Sequence, residues 1–348
     1  MGFTVVQIFD ATGMPDYAQM FQQSGADIKL VRKMCRNEDD IIATAKHADG
    51  IIGAVSVQPM PRRVLEALTK CRLIQNLGVG YDGVDVAAAT ELGIMVANVP
   101  DFNIEEVSDH AMALMLACAR KVVVLNEVVR AGKWVSQPTS YIQQNIWTKT
   151  VRLRGQTLGL VGFGRIPQTL VPKAKGFGLR IIAFDPYIPQ GIFDQLGVEK
   201  VDLDRLLRES DFVSLHTPLT KETKGLIGIE QLKKMKPTAH LINTSRGAVV
   251  NTEALCQALT QGLLAGAALD VTEPEPINMD NPILKLDNVI ITAHSAGASP
   301  MAMTELWRRP VEEMINVLIK KQWPRGLVNP RVKEKYLQKW GLNEPSPC

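Results

Sequence analysis

Nowhere in the 348 residues does an apolar run approach membrane-spanning length, which argues against an integral membrane protein. The N-terminus, Met1-Gly2-Phe3-Thr4-Val5-Val6, lacks the basic region and cleavage site of a secretory signal, and Val6 stands where a myristoylation signal needs Ser or Thr. A soluble, cytoplasmic protein is expected. Cysteine is scarce: Cys35, Cys71, Cys118, Cys256 and Cys348 are scattered, odd in number and without a Cys-x-x-Cys pair, so reduced thiols are expected and no metal site is read. Excess charge of one sign is also missing, with 39 Lys and Arg against 36 Asp and Glu. No Lys/Arg block is dense enough to follow a nucleic-acid backbone, so small molecules are the expected partners. Internal repeats and low-complexity tracts are absent as well.

What is present is alternation. The length exceeds one ordinary core and predicts two domains. Residues 5–9, 50–55 and 73–77 read as short buried strands separated by amphipathic stretches at 39–46 and 62–69, one α/β unit. From Glu105 to about Arg130 apolar residues recur at three- and four-residue steps, predicting one long helix that ends before Gly132 and Pro138. Strands at 157–161, 180–184, 212–215, 240–243, 265–269 and 289–292 then alternate with helices, the pattern of a doubly wound parallel sheet. A last helix over 300–320 is expected to return to the first domain. The predicted fold is therefore α/β: residues 104–295 as a Rossmann-type domain inserted in a smaller flavodoxin-like domain of residues 1–103 and 296–330, with 331–348 as a polar tail.

The strand 157–161 runs into Gly162-Phe163-Gly164-Arg165-Ile166-Pro167, and a second strand ends in Asp185, 23 residues past Gly162. A tight glycine turn opening a helix presents backbone amides and a helix N-terminus to a pyrophosphate, and the acid can bind the adenosine ribose. This points to a dinucleotide. Pro167 replaces the third glycine of the pattern; proline is tolerated in a first helical turn, and a shifted helix is expected. Asp185 would repel a 2′-phosphate, and Pro186, Tyr187 and Ile188 supply no compensating arginine, so NAD(H) is expected rather than NADP(H).

Ligands of such sheets bind outside the carboxyl ends of the strands. Three segments fall there: Thr244-Ser245-Arg246-Gly247, Asp270 through Glu275-Pro276, and Ala293-His294-Ser295-Ala296-Gly297. An arginine can grip a carboxylate with two parallel bonds, a histidine can protonate a developing alkoxide, and a carboxylate can hold the imidazolium. Singly these are ordinary surface residues. Together, beside a dinucleotide site, they suit reduction of a 2-oxo acid.

The segments Asn76-Leu77-Gly78-Val79-Gly80-Tyr81-Asp82-Gly83-Val84-Asp85, Gly162-Phe163-Gly164-Arg165-Ile166, His216-Thr217-Pro218-Leu219-Thr220, Asn243-Thr244-Ser245-Arg246-Gly247, Ala268-Leu269-Asp270-Val271 with Glu275-Pro276, and Thr292-Ala293-His294 resemble the D-isomer-specific 2-hydroxyacid dehydrogenase family over about residues 50–329. The resemblance implies an NAD-dependent oxidoreductase with Arg246 on the substrate carboxylate, His294 as acid/base, and Glu275 rather than Glu273 as its partner. It further implies substrate contacts from Ser56, Gly78, Val79 and Gly80. For the cofactor it nominates Asn103, Gly162, Gly164, Arg165, Ile166, Asp185, His216, Thr217, Pro218, Thr223, Thr244, Asp270, His294, Ala296 and Gly297. In the family, the region around Trp134 and Trp147 forms an arm on a second subunit, so a homodimer is implied. Phosphoglycerate-type members carry arginines where Val55 and Val57 stand here, which implies an unphosphorylated substrate.

The chain is also similar to the C-terminal-binding-protein corepressors, NAD(H)-sensing scaffolds with the same three residues. Those carry tryptophan three residues after the histidine; here that residue is Gly297. Of the other histidines, His110 is expected to pack near a hinge, His216 to make a structural hydrogen bond, and His47 and His240 to lack partners.

Overall fold

The computed structural model describes residues 2–136 and 139–344. Met1, Pro138 and the last four residues of the expected tail, Cys348 included, lie outside the described residues. Contacts divide the chain into two compact units, Met1–Phe102 with Ser299–Cys348, and Asn103–Ala298.

The first unit is built on five parallel strands, β1 (Phe3–Gln7), β2 (Ile28–Arg32), β3 (Gly50–Gly53), β4 (Leu73–Asn76) and β5 (Met95–Ala97), in the order β2-β1-β3-β4-β5. The central strands β3 and β4 are buried along their whole length, as expected of a parallel sheet covered on both faces. Successive side chains divide between the two layers. Val6, Ile51, Ile74 and Val96 pack with Ile41, Val64 and Leu65, whereas Val5, Ile52, Leu73 and Met95 pack with Tyr17, Phe21 and Met314. Met314 lies on the helix Pro300–Leu318, whose start is capped by Ser299 Oγ accepting from Ala302 N at 3.0 Å. A Cβ on Gly50 would sit 2.6 Å from Met314 Sδ, so a larger residue there would require the Met314 side chain to shift.

Two strands of this unit escaped the sequence reading because their signals are weak. In β2, Lys29 and Arg32 interrupt the apolar residues at a sheet edge, and β5 has only three residues. The expected tail is also corrected. Residues Val332–Trp340 form a helix that buries Val332 and Tyr336 in the second layer, an i, i+4 pair hidden among charged neighbours.

The second unit carries seven parallel strands: β6 (Thr157–Val161), β7 (Arg180–Phe184), β8 (Glu199–Lys200), β9 (Phe212–Leu215), β10 (His240–Asn243), β11 (Gly266–Leu269) and β12 (Val289–Ile291). Their order is β12-β11-β10-β9-β6-β7-β8, so the winding reverses between β6 and β9. A doubly wound sheet opens a ligand crevice at such a reversal. The helix expected over residues 105–130 is two helices, Ile104–Arg120 and Val122–Arg130, because Lys121 between them is left-handed at φ 54°. That conformation ends the first helix with Lys121 N bonded to the Ala117 carbonyl.

Candidate functional site

At the reversal, β6 turns at Gly162, whose φ of 90° suits glycine and whose N–H donates to the Phe184 carbonyl at 2.8 Å. A Cβ there would approach the His216 carbonyl oxygen to 2.8 Å, so the close passage of the two strand ends requires glycine. Gly164 caps the helix Arg165–Gly176, and a Cβ on it would meet nothing within 4 Å. That open surface fronts the first-turn amides of Arg165 and Ile166, the geometry that receives a phosphate. Pro167 is buried in this first turn, where its missing N–H would have had no intrahelical acceptor.

Asp185 follows β7. One carboxylate oxygen accepts from Phe163 N at 2.8 Å; the other accepts from Tyr187 N at 2.9 Å and Ile188 N at 3.2 Å. Three main-chain donors thus fix a carboxylate beside the glycine turn, with lone pairs remaining for hydroxyl donors.

Beyond β9, His216 is half-buried against Ser214, Nε2 to Oγ 2.9 Å, and desolvation pushes its pKa down to about 4, keeping the ring neutral. Pro218 and Thr223 close the following loop on itself: Thr223 Oγ1 donates to the Pro218 carbonyl at 2.6 Å and accepts from Thr220 N at 2.8 Å. The Thr223 hydroxyl is therefore spent on the loop's shape. Thr217 Oγ1, Thr244 Oγ1 and Asn103 Oδ1 are buried without a hydrogen-bond partner among the described residues. All three belong to residues nominated for the cofactor. Orphaned buried polar atoms are costly, and a polar ligand would satisfy them. These residues fit a dinucleotide.

The chemistry-bearing groups follow three neighbouring strands, β10, β11 and β12. After β10, Asn243 shapes the turn that presents Arg246: its side chain accepts from Ser245 N at 3.0 Å and Ser245 Oγ at 2.8 Å, and donates to the Arg246 carbonyl at 2.9 Å. The next residue, Gly247, must be glycine, since a Cβ would lie 2.0 Å from the Thr272 carbonyl oxygen. After β11 and β12, Nδ1 of His294 is hydrogen-bonded to Oε1 of Glu275, and Glu275 rather than Glu273 fills this position. His294 and Glu275 are thus brought together directly, while Arg246 is held on the adjoining strand end by its own turn.

Asp270 is 1% exposed and anchors the same turn. Its carboxylate accepts from Thr292 Oγ1, Ser295 N and Ala296 N, and its carbonyl accepts from His294 N. A Cβ on Gly297 would lie 2.2 Å from Asn103 Nδ2, so any side chain there would require Asn103 to move.

Sequence reasoning did not assign roles to Asn243, Ser245 or Thr292, whose signal lay only in their place at strand ends. His110, expected to pack, instead reaches Thr292 Oγ1 at 3.1 Å. His240, expected to lack a partner, is buried against Lys121, Nε2 to Nζ 3.3 Å, and stacks on Phe212; burial pushes its pKa down to about 4. Lys121 is 119 residues away in sequence, beyond the reach of local pattern.

In the first unit, the loop after β4 is held by its carbonyls. Asn76 Nδ2 donates to Gly78 O at 3.1 Å and Gly80 O at 2.8 Å; Asn98 Nδ2 donates to Val79 O at 2.6 Å. Among the described residues, the amides of Gly78, Val79 and Gly80 donate no hydrogen bond, which suits them to an anion. Ser56 is exposed, and Val57 is 66% exposed. Val55, expected on the same surface, is instead fully buried in the core with Val6, Ile51 and Met60. It lies in the turn that follows the end of β3 at Gly53. Among the described residues no group of three or more His, Cys, Asp or Glu could hold a metal, and no helix is long and apolar enough to cross a membrane.

Residues 112–296 match the family model of the D-isomer specific 2-hydroxyacid dehydrogenase NAD-binding domain. The chain is 43% identical to a glyoxylate reductase of Korarchaeum cryptofilum over 84% of this chain and 86% of that one. It is 38% identical to a D-3-phosphoglycerate dehydrogenase of Methanocaldococcus jannaschii over 87% of this chain and 56% of that one. It superposes on a D-lactate dehydrogenase of Aquifex aeolicus, solved with NAD and lactic acid, with a TM-score of 0.77 at 26% identity, covering 99% of this chain and 100% of that one.

Proposed function

The chain belongs to the D-isomer specific 2-hydroxyacid dehydrogenase family of NAD-binding oxidoreductases, and we propose that it interconverts an unphosphorylated 2-oxo acid and the D-2-hydroxy acid. The observation that carries this reading is the His294–Glu275 hydrogen bond. With Nδ1 engaged by a carboxylate, Nε2 is the nitrogen left to face a substrate oxygen. NADH, when bound, supplies the hydride to C2. His294 donates a proton to the carbonyl oxygen as negative charge develops there, Glu275 stabilises the imidazolium that does so, and Arg246 holds the substrate carboxylate. In the oxidative direction His294 takes the proton back.

Cofactor contacts are assigned to the glycine turn Gly162 and Gly164, the amides of Arg165 and Ile166, Asp185 on the adenosine ribose, and the polar atoms of Asn103, Thr217 and Thr244. Substrate contacts from Ser56 and from the amides of Gly78, Val79 and Gly80 rest on family resemblance and on the geometry of that loop. Against a phosphorylated substrate stands Val57, the exposed position beside Ser56, which offers a phosphate no cation. The relatives fall on both sides of that choice, a glyoxylate reductase and a D-3-phosphoglycerate dehydrogenase, so the preference rests on the loop.

A homodimer is supported by the apolar side chains exposed along the segment after Lys121, among them Val122, Val129, Trp134, Val135 and Trp147. A reducing cytoplasmic setting is supported by Cys35, Cys71, Cys118 and Cys256, all free thiols. The corepressor-like alternative is disfavoured at Gly297, where the Asn103 side chain excludes the tryptophan those scaffolds carry.

The test is NADH oxidation with hydroxypyruvate, pyruvate and branched 2-oxo acids, followed by chiral analysis of the product. Steady turnover to the D-isomer is expected. Tight NADH binding with negligible turnover on every acid, or an L-product, would contradict the reading.

A further inference from the structure

The buried carboxylate of Asp270 has one ionisable neighbour within ion-pair distance among the described residues, His110, with Nε2 3.5 Å from Oδ1. Between them stands Thr292. Its Oγ1 lies 2.5 Å from Asp270 Oδ1 and 3.1 Å from His110 Nε2. A hydroxyl has a single proton, and a carboxylate can only accept, so the Thr292 proton is directed to Asp270. Its lone pair then accepts from the ring, which requires His110 to carry its proton on Nε2.

At the other end of this chain lies the backbone of His294. Its φ of 50° is a conformation that residues with a side chain seldom adopt. Three consecutive amides hold it, and all three bond to Asp270: His294 N to the carbonyl at 2.8 Å, Ser295 N to Oδ1 at 2.9 Å, and Ala296 N to Oδ2 at 2.9 Å. The orientation of Asp270 therefore sets the direction in which the His294 side chain leaves the turn.

We propose that His110 and Thr292 are positioning residues for His294: the ordered chain His110 Nε2–H to Thr292 Oγ1–H to Asp270 clamps the carboxylate that holds the turn of residues 294–296, in which His294 is left-handed. Neither residue exchanges a proton with substrate. The proposal rests on the reading of His294 as the proton donor, and its action is on geometry.

Thr292→Val keeps the shape and removes the hydroxyl, whereas Thr292→Ser restores it. His110→Leu removes the donor, whereas His110→Gln retains an amide donor. In the Val and Leu variants kcat with hydroxypyruvate should fall about tenfold to a hundredfold, the usual consequence of misplacing a reacting group by a fraction of an ångström to an ångström. KM for the oxo acid and Kd for NADH should stay within about twofold, and the Ser and Gln variants should recover most of kcat. A second measurement needs no turnover: the low-field proton resonance of the His294–Glu275 bond, recorded on the protein without substrate, should move or broaden in the Val and Leu variants and hold its place in Ser and Gln. Equal losses in Val and Ser, parallel rises in KM and Kd, or an unmoved resonance in both Val and Leu would overturn the proposal. Should the wild-type protein turn over no 2-oxo acid, the functional reading fails while the resonance still decides the clamp. If Thr292→Val does not fold, the His110 pair decides it alone.

Discussion

Nδ1 of His294 and Oε1 of Glu275, carried past adjacent strands β12 and β11, form one hydrogen bond at the carboxyl edge of the sheet. Removing the ring in His294→Ala should lower kcat by roughly two to four orders of magnitude, the usual worth of a positioned proton donor. Glu275→Gln should lower kcat too, because the imidazolium then lacks its anionic partner. Kd for NADH, followed by fluorescence quenching, should change far less than kcat in both. A His294→Ala enzyme retaining most of its kcat would remove the residue from the mechanism.

Asp185 should decide between cofactors. Its fixed carboxylate suits ribose hydroxyls and repels a 2′-phosphate, so Asp185→Asn should lower the NADH/NADPH ratio of kcat/KM by about tenfold or more. The three amides that hold the carboxylate are still satisfied by the asparagine oxygen in part, which keeps the turn formed. Equal kcat/KM for the two cofactors in the wild-type protein would contradict the assignment.

A side chain at Gly297 should act through Asn103. Gly297→Ala places a Cβ against Asn103 Nδ2 and should displace Asn103, weakening NADH binding. Isothermal titration of NADH against the variant reads this directly; an unchanged Kd would show that Asn103 does not contact the cofactor.

Acid should destabilise the second unit through two desolvated histidines. His216 and His240 hold pKa values of about 4 in the folded chain against an ordinary value near 6.5. Above about pH 6.5 neither folded nor unfolded chain is protonated at these rings, so no penalty exists. Between about pH 6.5 and pH 4 the unfolded chain takes up protons that the folded chain refuses, and stability falls. At about pH 5 the loss amounts to about 2 kcal/mol per histidine. His240→Gln keeps an acceptor for Lys121 and cannot titrate, so its denaturation midpoint should decline less between pH 7 and pH 5 than the wild type's. Parallel declines would show that His240 does not couple to folding.

Much of this was legible in sequence because its determinants are local. The glycine turn, the acid after β7 and the runs that make buried parallel strands each occupy a few consecutive residues, and Arg246, Glu275 and His294 each follow such a run. What was not legible depends on packing or on distant partners. The break at Lys121 follows from a single left-handed residue in a sequence that remains periodic on both sides. Val55 reads as the end of a strand facing the substrate loop, whereas β3 ends at Gly53 and the following turn buries Val55 in the core. The 332–340 helix shows only two buried side chains among charged ones. The pairing of His110 with Thr292 spans 182 residues, and no spacing rule reaches it.

The most direct test of the account is kcat/KM with NADH for hydroxypyruvate beside 3-phosphohydroxypyruvate, measured on the same preparation. The account predicts that the unphosphorylated acid is used and the phosphorylated one is a markedly poorer substrate. A clear preference for 3-phosphohydroxypyruvate would contradict it.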